Sequence, residues 1–358
     1  MTRTSLLGWL VAIGLLALLP VMPEPIGGEF HMELGAKVLI MAIFALSLQL
    51  LVGFTGLVSL GHAAFFGFAS YMVAMLAPQS EAGNGWWLLA ASVGGSALLA
   101  LVIGSLVMRT RGIYFIMVTL AFAQLVYFVF HDTDAFGGSD GTYIYFKPEF
   151  SLLGWKPLDL EQPAHFYWFT LALMGLTAGV LGLVLRSRLG HALVGIKHNE
   201  QRMRATGFAT TGYKLASFVI AGALAGVAGF LFAIQHGYVN PEILSWHQSG
   251  NALLMIILGG LGSLPGAVMG AFSFVLLSEW FSSLTKHWQL LMGGFIILVV
   301  ALMPQGLAGG IASLRQRLAR RPAAPATEAP PARPAARPPA RGGDGTPQIT
   351  PQHKEQTP

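Results

Sequence analysis

Runs of about twenty apolar residues recur along this chain as far as residue 303, and nothing else in the sequence limits the fold as tightly. Twenty residues is the length a helix needs to cross the hydrocarbon core of a bilayer. At that depth no water satisfies backbone amides, so spanning segments are helices or closed barrels. A barrel would show alternating segments of about ten residues instead. The runs therefore predict an all-α polytopic membrane protein. Composition agrees, with 54% hydrophobic residues and 10% charged, where soluble domains carry roughly a quarter charged.

The runs fall near 5–22, 34–52, 57–77, 86–108, 112–130, 165–185, 214–235, 248–263, 266–282 and 288–303, about ten transmembrane helices in all. The eighth and ninth are short, and Gly259, Gly260, Gly262, Pro265, Gly266 and Gly270 crowd their junction. Broken or re-entrant segments there would lower the count to eight. The first run leads into Pro20-Val21-Met22-Pro23 rather than a small-residue cleavage site, and is read as an uncut helix.

Charge orients the bundle. The connection 186–214 carries Arg186, Arg188, Lys197, Arg202, Arg204 and Lys214 against Glu200, and Arg109 and Arg111 mark another basic link. The connection 131–164 carries six acidic residues against Lys147 and Lys156. Cytoplasmic loops are the ones enriched in Lys and Arg. Ten spans with both termini cytoplasmic put every basic stretch inside and the acidic loop outside. The chain thus divides into a transmembrane domain, 1–305, and a tail, 306–358. The domain has a cytoplasmic loop at about 186–212 and a periplasmic loop at about 131–164. The tail is rich in Pro, Ala and Arg. It cannot bury enough apolar surface to offset ordering entropy and reads as disordered; its arginines suit contact with anionic lipid.

Several chemistries are excluded. There is no cysteine, hence no disulfide or thiolate metal site. No GxxxxGK[ST] or HExxH occurs, so the chain offers neither a P-loop nor that metal motif. No cofactor, metal, catalytic residue or nucleic-acid partner is expected. A stand-alone secondary transporter would want intramembrane carboxylates, and the spans lack a run of them. An intramembrane enzyme would need convergent titratable groups, and His62 shows no partner in sequence. Gln49, Gln124 and Gln235 are the neutral polar groups of the spans and suit interhelical hydrogen bonds.

Three segments stand out. Gly53 to Tyr71, GFTGLVSLGHAAFFGFASY, is too apolar for a surface loop and too glycine-rich for an ordinary helix. Broken backbone at membrane depth is tolerated only in protein or along a cavity, and points to a transport site. Ser59, Gly61, His62, Phe65 and Phe66 are therefore pathway candidates. Gly56-Leu57-Val58-Ser59-Leu60 is echoed by Gly260-Leu261-Gly262-Ser263-Leu264, which adds Gly260, Gly262 and Ser263. In 186–207, Leu189, Leu193, Ile196, Met203 and Gly207 recur at helical spacing, predicting one amphipathic helix at the inner face with the form of a helix-in-groove docking element. Phe136 to Gly141 reads as a turn in the outer loop. That loop, at some thirty residues, is long for a mere connector. Trp155, Phe166, Tyr167 and Trp168 suggest an interfacial aromatic belt beside it.

Together these pieces resemble the LivM-type permeases, membrane subunits of branched-chain amino acid ABC importers. The likeness is carried by 53–71 and by RTRGIYFIMVTLAFAQLVYF at 109–128 with GGSDG at 137–141. RLGHALVGIKHNEQRMRATGFATTGYKLASFVIAGALAGVAG at 188–229 and GGLGSLPGAVMGA at 259–271 complete it. The resemblance covers about residues 30–305. It implies a multi-pass protein of the bacterial inner membrane that is not itself an enzyme. Its implied partners are a homologous LivH-like second permease, two cytoplasmic ATPase subunits and a periplasmic solute-binding protein. ATP hydrolysed by the partners would drive alternating access for branched-chain or related amino acids. It adds Gly138, Ser139 and Asp140 to the pathway candidates. It also implies an ATPase-coupling loop carrying Leu193, Ile196, Asn199, Glu200, Arg204 and Gly207. Gln201, Arg202 and Met203 stand where the family commonly has Ala-Ala, and Leu57 where many members carry a polar residue. Importers of urea and short amides use similar permeases and form the alternative substrate class.

Overall fold

The computed structural model describes residue 20 and residues 28–152, 155–303 and 305–310. Its helices are α1 (Glu29–Gln49), α2 (His62–Leu76), α3 (Gly85–Val107), α4 (Ile113–His131), α5 (Pro163–Arg186), α6 (Arg188–His198), α7 (Glu200–Ala205), α8 (Thr210–His236), α9 (Trp246–Gly259), α10 (Leu264–Leu284) and α11 (Trp288–Leu302). Among the described residues, seven helical segments are long and apolar enough to cross a membrane. The runs expected at 57–77 and 248–263 form shorter helices, α2 of 15 residues and α9 of 14 residues. At 1.5 Å per residue, α2 reaches only about 22 Å. The reason is local: glycines and serines at both basic-end junctions divert the chain out of helix before it crosses. The run at 5–22 lies outside the described residues. So does the tail beyond residue 310, while 306–310 are helical.

The bundle has two distinguishable ends. One gathers the basic connection 186–214 with Arg109 and Arg111 and is called here the basic end. The other carries the acidic loop 132–162. α1 is apolar all round and runs through the middle, with 94% of its apolar window buried. A helix without a polar face belongs inside a bundle. In α3, α4, α5, α10 and α11 a third or less of the window is buried. These helices turn Leu98, Leu101, Met117, Phe128, Leu183 and Ile297 outward, as lipid-facing helices do.

Helix association in lipid gains little from the hydrophobic effect and relies on close packing and interhelical hydrogen bonds. α8 supplies both. Its face Gly222, Gly226 and Gly229 meets α2 and α3, where a Cβ on Gly226 would lie 2.9 Å from Ser96 Cβ and one on Gly229 would overlap Phe66 O. Ser70 Oγ donates to Gly229 O at 2.8 Å, and Ser96 Oγ donates to Phe65 O at 3.0 Å. Gln235 Nε2 donates to Glu33 O at 2.8 Å and ties α8 to α1, the interhelical role its position predicts.

Two small antiparallel ladders organise the acidic end. β1 (Thr142–Tyr143) pairs with β4 (Tyr238–Val239), and β2 (Phe150–Leu152) with β3 (Trp155–Leu158). Phe150 packs against Trp86, Phe169 and Phe230 with ring centroids 4.9, 4.8 and 6.4 Å apart. The belt expected around 166–168 is corrected in part. Phe166 and Tyr167 point into the core, at 5% and 0% exposure, because they fall on the buried stripe of α5; Trp168 faces out. Trp86 and Trp87, at the start of α3, are exposed at that end, as are Tyr143, Tyr145 and Phe146.

Candidate functional site

At the basic end α1 does not stop at Gln49. It continues as a π-turn, Leu50–Thr55, and is closed by Gly56 in the left-handed region at φ 77°. The N–H of Gly56 and that of Leu57 both return to Leu51 O, the latter at 2.9 Å. π-turns are rare and concentrate at functional sites. Residues 57–61 then run as coil before α2 starts at His62. The restart is capped from two sides: Ser59 Oγ accepts from Gly61 N, and Ser249 Oγ of α9 accepts from Ala63 N at 2.8 Å. Orphan amides of a first helical turn need such partners.

His62 is fully buried. Ser47 Oγ donates its single proton to Phe44 O at 2.6 Å, so in the 2.7 Å contact with His62 Nε2 the ring nitrogen donates. The ring stacks on Phe44 with centroids 5.4 Å apart and meets Phe65 edge-on at 5.8 Å. Ser59, Phe65 and Phe66 are likewise buried. Of the pathway residues chosen in this segment, all but the glycine thus bury their side chains in the bundle interior. Gly61 packs on α4, where a Cβ would lie 2.5 Å from Thr119 O.

The echoed segment is brought alongside. Gln49 Nε2 donates to Gly260 O at 3.1 Å and to Ser263 O at 3.0 Å. A Cβ on Gly53 would lie 2.8 Å from Gly262 N. Each segment leaves its helix at a positive-φ glycine, Gly56 or Gly260. Each then places a serine hydroxyl under an amide near the start of the next helix, with Ser263 Oγ accepting from Gly266 N at 3.1 Å. The two glycine-rich breaks therefore form one unit, with Gln49 as the clasp.

The connection after α5 lies against this unit. The single amphipathic helix expected over 186–207 is two helices, α6 and α7. Asn199 breaks it: its side chain accepts from Arg202 N at 2.9 Å and starts α7 afresh. Asn competes with the backbone in this way, which favours caps over helix interiors. Leu193 and Ile196 face inward, at 0% and 5% exposure. Lys197 Nζ donates to Gly53 O at 2.6 Å. Glu200 Oε1 accepts from Arg204 Nη2 at 2.6 Å, Lys214 Nζ at 3.0 Å and Thr210 Oγ1 at 3.2 Å. Lys214 is nearly inaccessible, at 3%. Burial alone would raise the Glu200 carboxyl. The hydrogen bond and charge of Lys214, joined by Arg204 and Thr210, outweigh it and hold the carboxyl below its ordinary value. Glu200 is a brace inside the chain, and the exposed surface of this connection includes Val194, Asn199, Gln201, Arg202, Gly207 and Phe208.

Gly138, Ser139 and Asp140 are at the other end. They form a tight 3₁₀ turn after Asp134–Phe136. Gly141 follows at φ 76°, where a Cβ would overlap Val239 O, so the turn docks backbone to backbone on the link between α8 and α9. Asp140 O accepts from Tyr238 Oη. The structure does not bring this turn together with Ser59–Phe66 or Gly260–Ser263.

A family profile described as the permease component of the branched-chain amino acid transport system matches residues 32–301. The chain belongs to this permease family. It is 30% identical over 295 residues to the high-affinity branched-chain amino acid transport system permease protein LivM of Salmonella typhimurium, an alignment covering 77% of this chain and 69% of that protein. LivM of Escherichia coli aligns over the same shares at 30% identity. LivH of Escherichia coli is 31% identical over 142 residues, 39% of this chain and 44% of LivH. No solved structure matches. This chain is therefore a multi-pass membrane permease.

One feature of the permease escaped the sequence. A cavity of about 700 Å³ opens toward the acidic end between α1, α4 and the α8–α9 link, lined among others by Gln124, Tyr127, Glu242, Trp246, Gln248 and Asn251. Its walls come from four separate stretches, so no local motif announces it. Gln124, read as an interhelical group, is one of its polar walls. A few polar groups converging in a partly apolar cleft are the usual form of a small-molecule site.

Proposed function

We propose that this chain is the permease subunit of an ATP-driven importer in the bacterial inner membrane, with its basic end and both termini in the cytoplasm. Its substrates are branched-chain or related amino acids. It works beside a second, homologous permease, with two cytoplasmic ATPase subunits and a periplasmic solute-binding protein. Relatives named as both LivM and LivH support the paired permease. The observation that carries the reading is the packing of the basic connection 186–214 directly on the glycine-broken unit. A loop able to meet an ATPase is thereby joined to a break in the central helix.

In this reading the substrate enters at the acidic end through the cavity at Glu242, whose carboxylate suits an amino acid's ammonium group while Met41 and Phe232 suit an aliphatic side chain. Gly138, Ser139 and Asp140 support that mouth. Ser59, Gly61, His62, Phe65, Phe66, Gly260, Gly262 and Ser263 form the gate at the cytoplasmic end, closed here. Alternating access requires one gate shut in each state, and differential binding by the partners sets which state prevails. On the cytoplasmic loop, Leu193, Ile196 and Glu200 shape the docking element from within, and Asn199 and Arg204 do so from its exposed side. Gly207 with Val194 and Phe208 presents its surface to the ATPase.

The substrate class is tested by titrating the cognate solute-binding protein with leucine, isoleucine, valine and urea in a calorimeter. Saturable heats with the three amino acids and none with urea are expected. Binding of urea alone would replace the amino acid reading with that of a short-amide importer.

A further inference from the structure

We propose that Lys197 is a positioning residue that transmits movement of the cytoplasmic loop into the break of α1, by holding Leu50–Thr55 in its π-turn. This rests on the reading of 186–212 as the ATPase-coupling loop.

Three observations meet at this residue. Its ammonium donates to Gly53 O at 2.6 Å, at the end of the helix, where carbonyls lack intrahelical partners. A cation at that position is favoured by the helix dipole, and a charge-assisted bond is roughly twice as strong as a neutral one. Its stem lies across Gly56, where a Cβ would come within 3.1 Å of Lys197 Cγ, so the closing glycine of the π-turn and the lysine are fitted to each other. Behind it, α6 is fixed to the bundle by Ala192, Leu193 and Ile196, all buried. On the far side of Gly53 stand Gly262 and, through Gln49, the carbonyls of Gly260 and Ser263. A continuous path therefore runs from α6 through one side chain to both glycine-rich breaks.

The π-turn supplies the two-state element. It holds one residue more than an α-helical turn. Its conversion to α would shift the segment leading to His62 by one residue, about 1.5 Å of rise and about 100° of rotation. Such a shift would re-aim Leu57 to Ser59. Withdrawing α6 removes the lysine from Gly53 O and with it the contact that favours the π form.

The test uses the complete importer in proteoliposomes, and the cysteine-free sequence makes it direct. Lys197→Met keeps the stem and removes the charge; Lys197→Arg keeps the charge. Leucine uptake by Lys197→Met should fall at least about tenfold while ATP hydrolysis by the complex stays within about twofold, and Lys197→Arg should recover part of the uptake. In a Leu57→Cys background, maleimide labelling should differ between nucleotide-free complex and complex trapped with ATP and vanadate. Adding Lys197→Met should erase that difference. Wild-type uptake by Lys197→Met, or labelling that still follows nucleotide in it, would overturn the proposal. A wild-type complex that hydrolyses ATP without moving any amino acid would instead overturn the importer reading.

Discussion

Gly270→Leu is expected to abolish accumulation of the folded permease in the membrane. Gly270 sits where α10 crosses α9 backbone to backbone. A Cβ there would overlap Met255 O and lie 2.8 Å from Gly259 N, and neither atom belongs to a side chain that can swing away. The helices would have to separate, pulling Gly260 O and Ser263 O from Gln49 Nε2. Overpacking a core costs about 1–3 kcal/mol when side chains can yield; against backbone the cost lies at or above that range. Set beside a total stability of about 5–15 kcal/mol, this is a large fraction. Gly293→Leu on α11 is the control, since a Cβ there meets nothing within 4 Å. Size-exclusion chromatography of detergent extracts should show a monodisperse peak for the control and none for Gly270→Leu. A wild-type peak for Gly270→Leu would contradict the close crossing of α9 and α10.

Glu200→Arg is expected to stop transport, with uptake falling below about a fiftieth of wild type, while the chain still inserts. The substitution puts a third cation beside Arg204 and the nearly buried Lys214, and removes the carboxylate that accepts from both. Hydrogen bonds to charged groups are worth about 1.5–3 kcal/mol each, and the loss strands a buried charge. The brace touches only the first turns of α8 at the basic end, so insertion survives, whereas α7 loses its hold on the start of α8. The same brace fixes a pH dependence. The folded-state carboxyl of Glu200 is held below its unfolded value, so its contribution is present above the unfolded pKa of about 4.3 and is lost as pH falls through the folded value. Thermal unfolding in detergent should therefore drop less steeply on acidification in Glu200→Gln than in wild type. Unchanged uptake by Glu200→Arg would sink the brace.

How much of this was legible follows from which forces act locally. α3, α4, α5, α8, α10 and α11 lie within a few residues of their apolar runs, because bilayer thickness sets length and hydropathy records it. The π-turn was not legible as such. Glycines at 53 and 56 signalled a break, but its form depends on Lys197, distant in sequence. The helix over 186–207 was misread as continuous because apolar periodicity passes through Asn199 unbroken, while the capping bond that divides it is made by one polar side chain. Phe166 and Tyr167 were assigned to an aromatic belt by type, where the stripe of α5 decides their burial. The cavity at Glu242 had no signal at all, since its walls assemble only when α4 meets the α8–α9 link.

In the proposed mechanism this permease moves branched-chain amino acids when ATP is hydrolysed by partners on its basic side. Proteoliposomes containing both permeases and both ATPase subunits, with ATP enclosed and the solute-binding protein outside, test it directly through uptake of radiolabelled leucine. Leucine should accumulate above the external concentration only when enclosed ATP, the binding protein and this chain are present together. Leucine entry that proceeds without ATP, or no entry while ATP is hydrolysed, would contradict the mechanism.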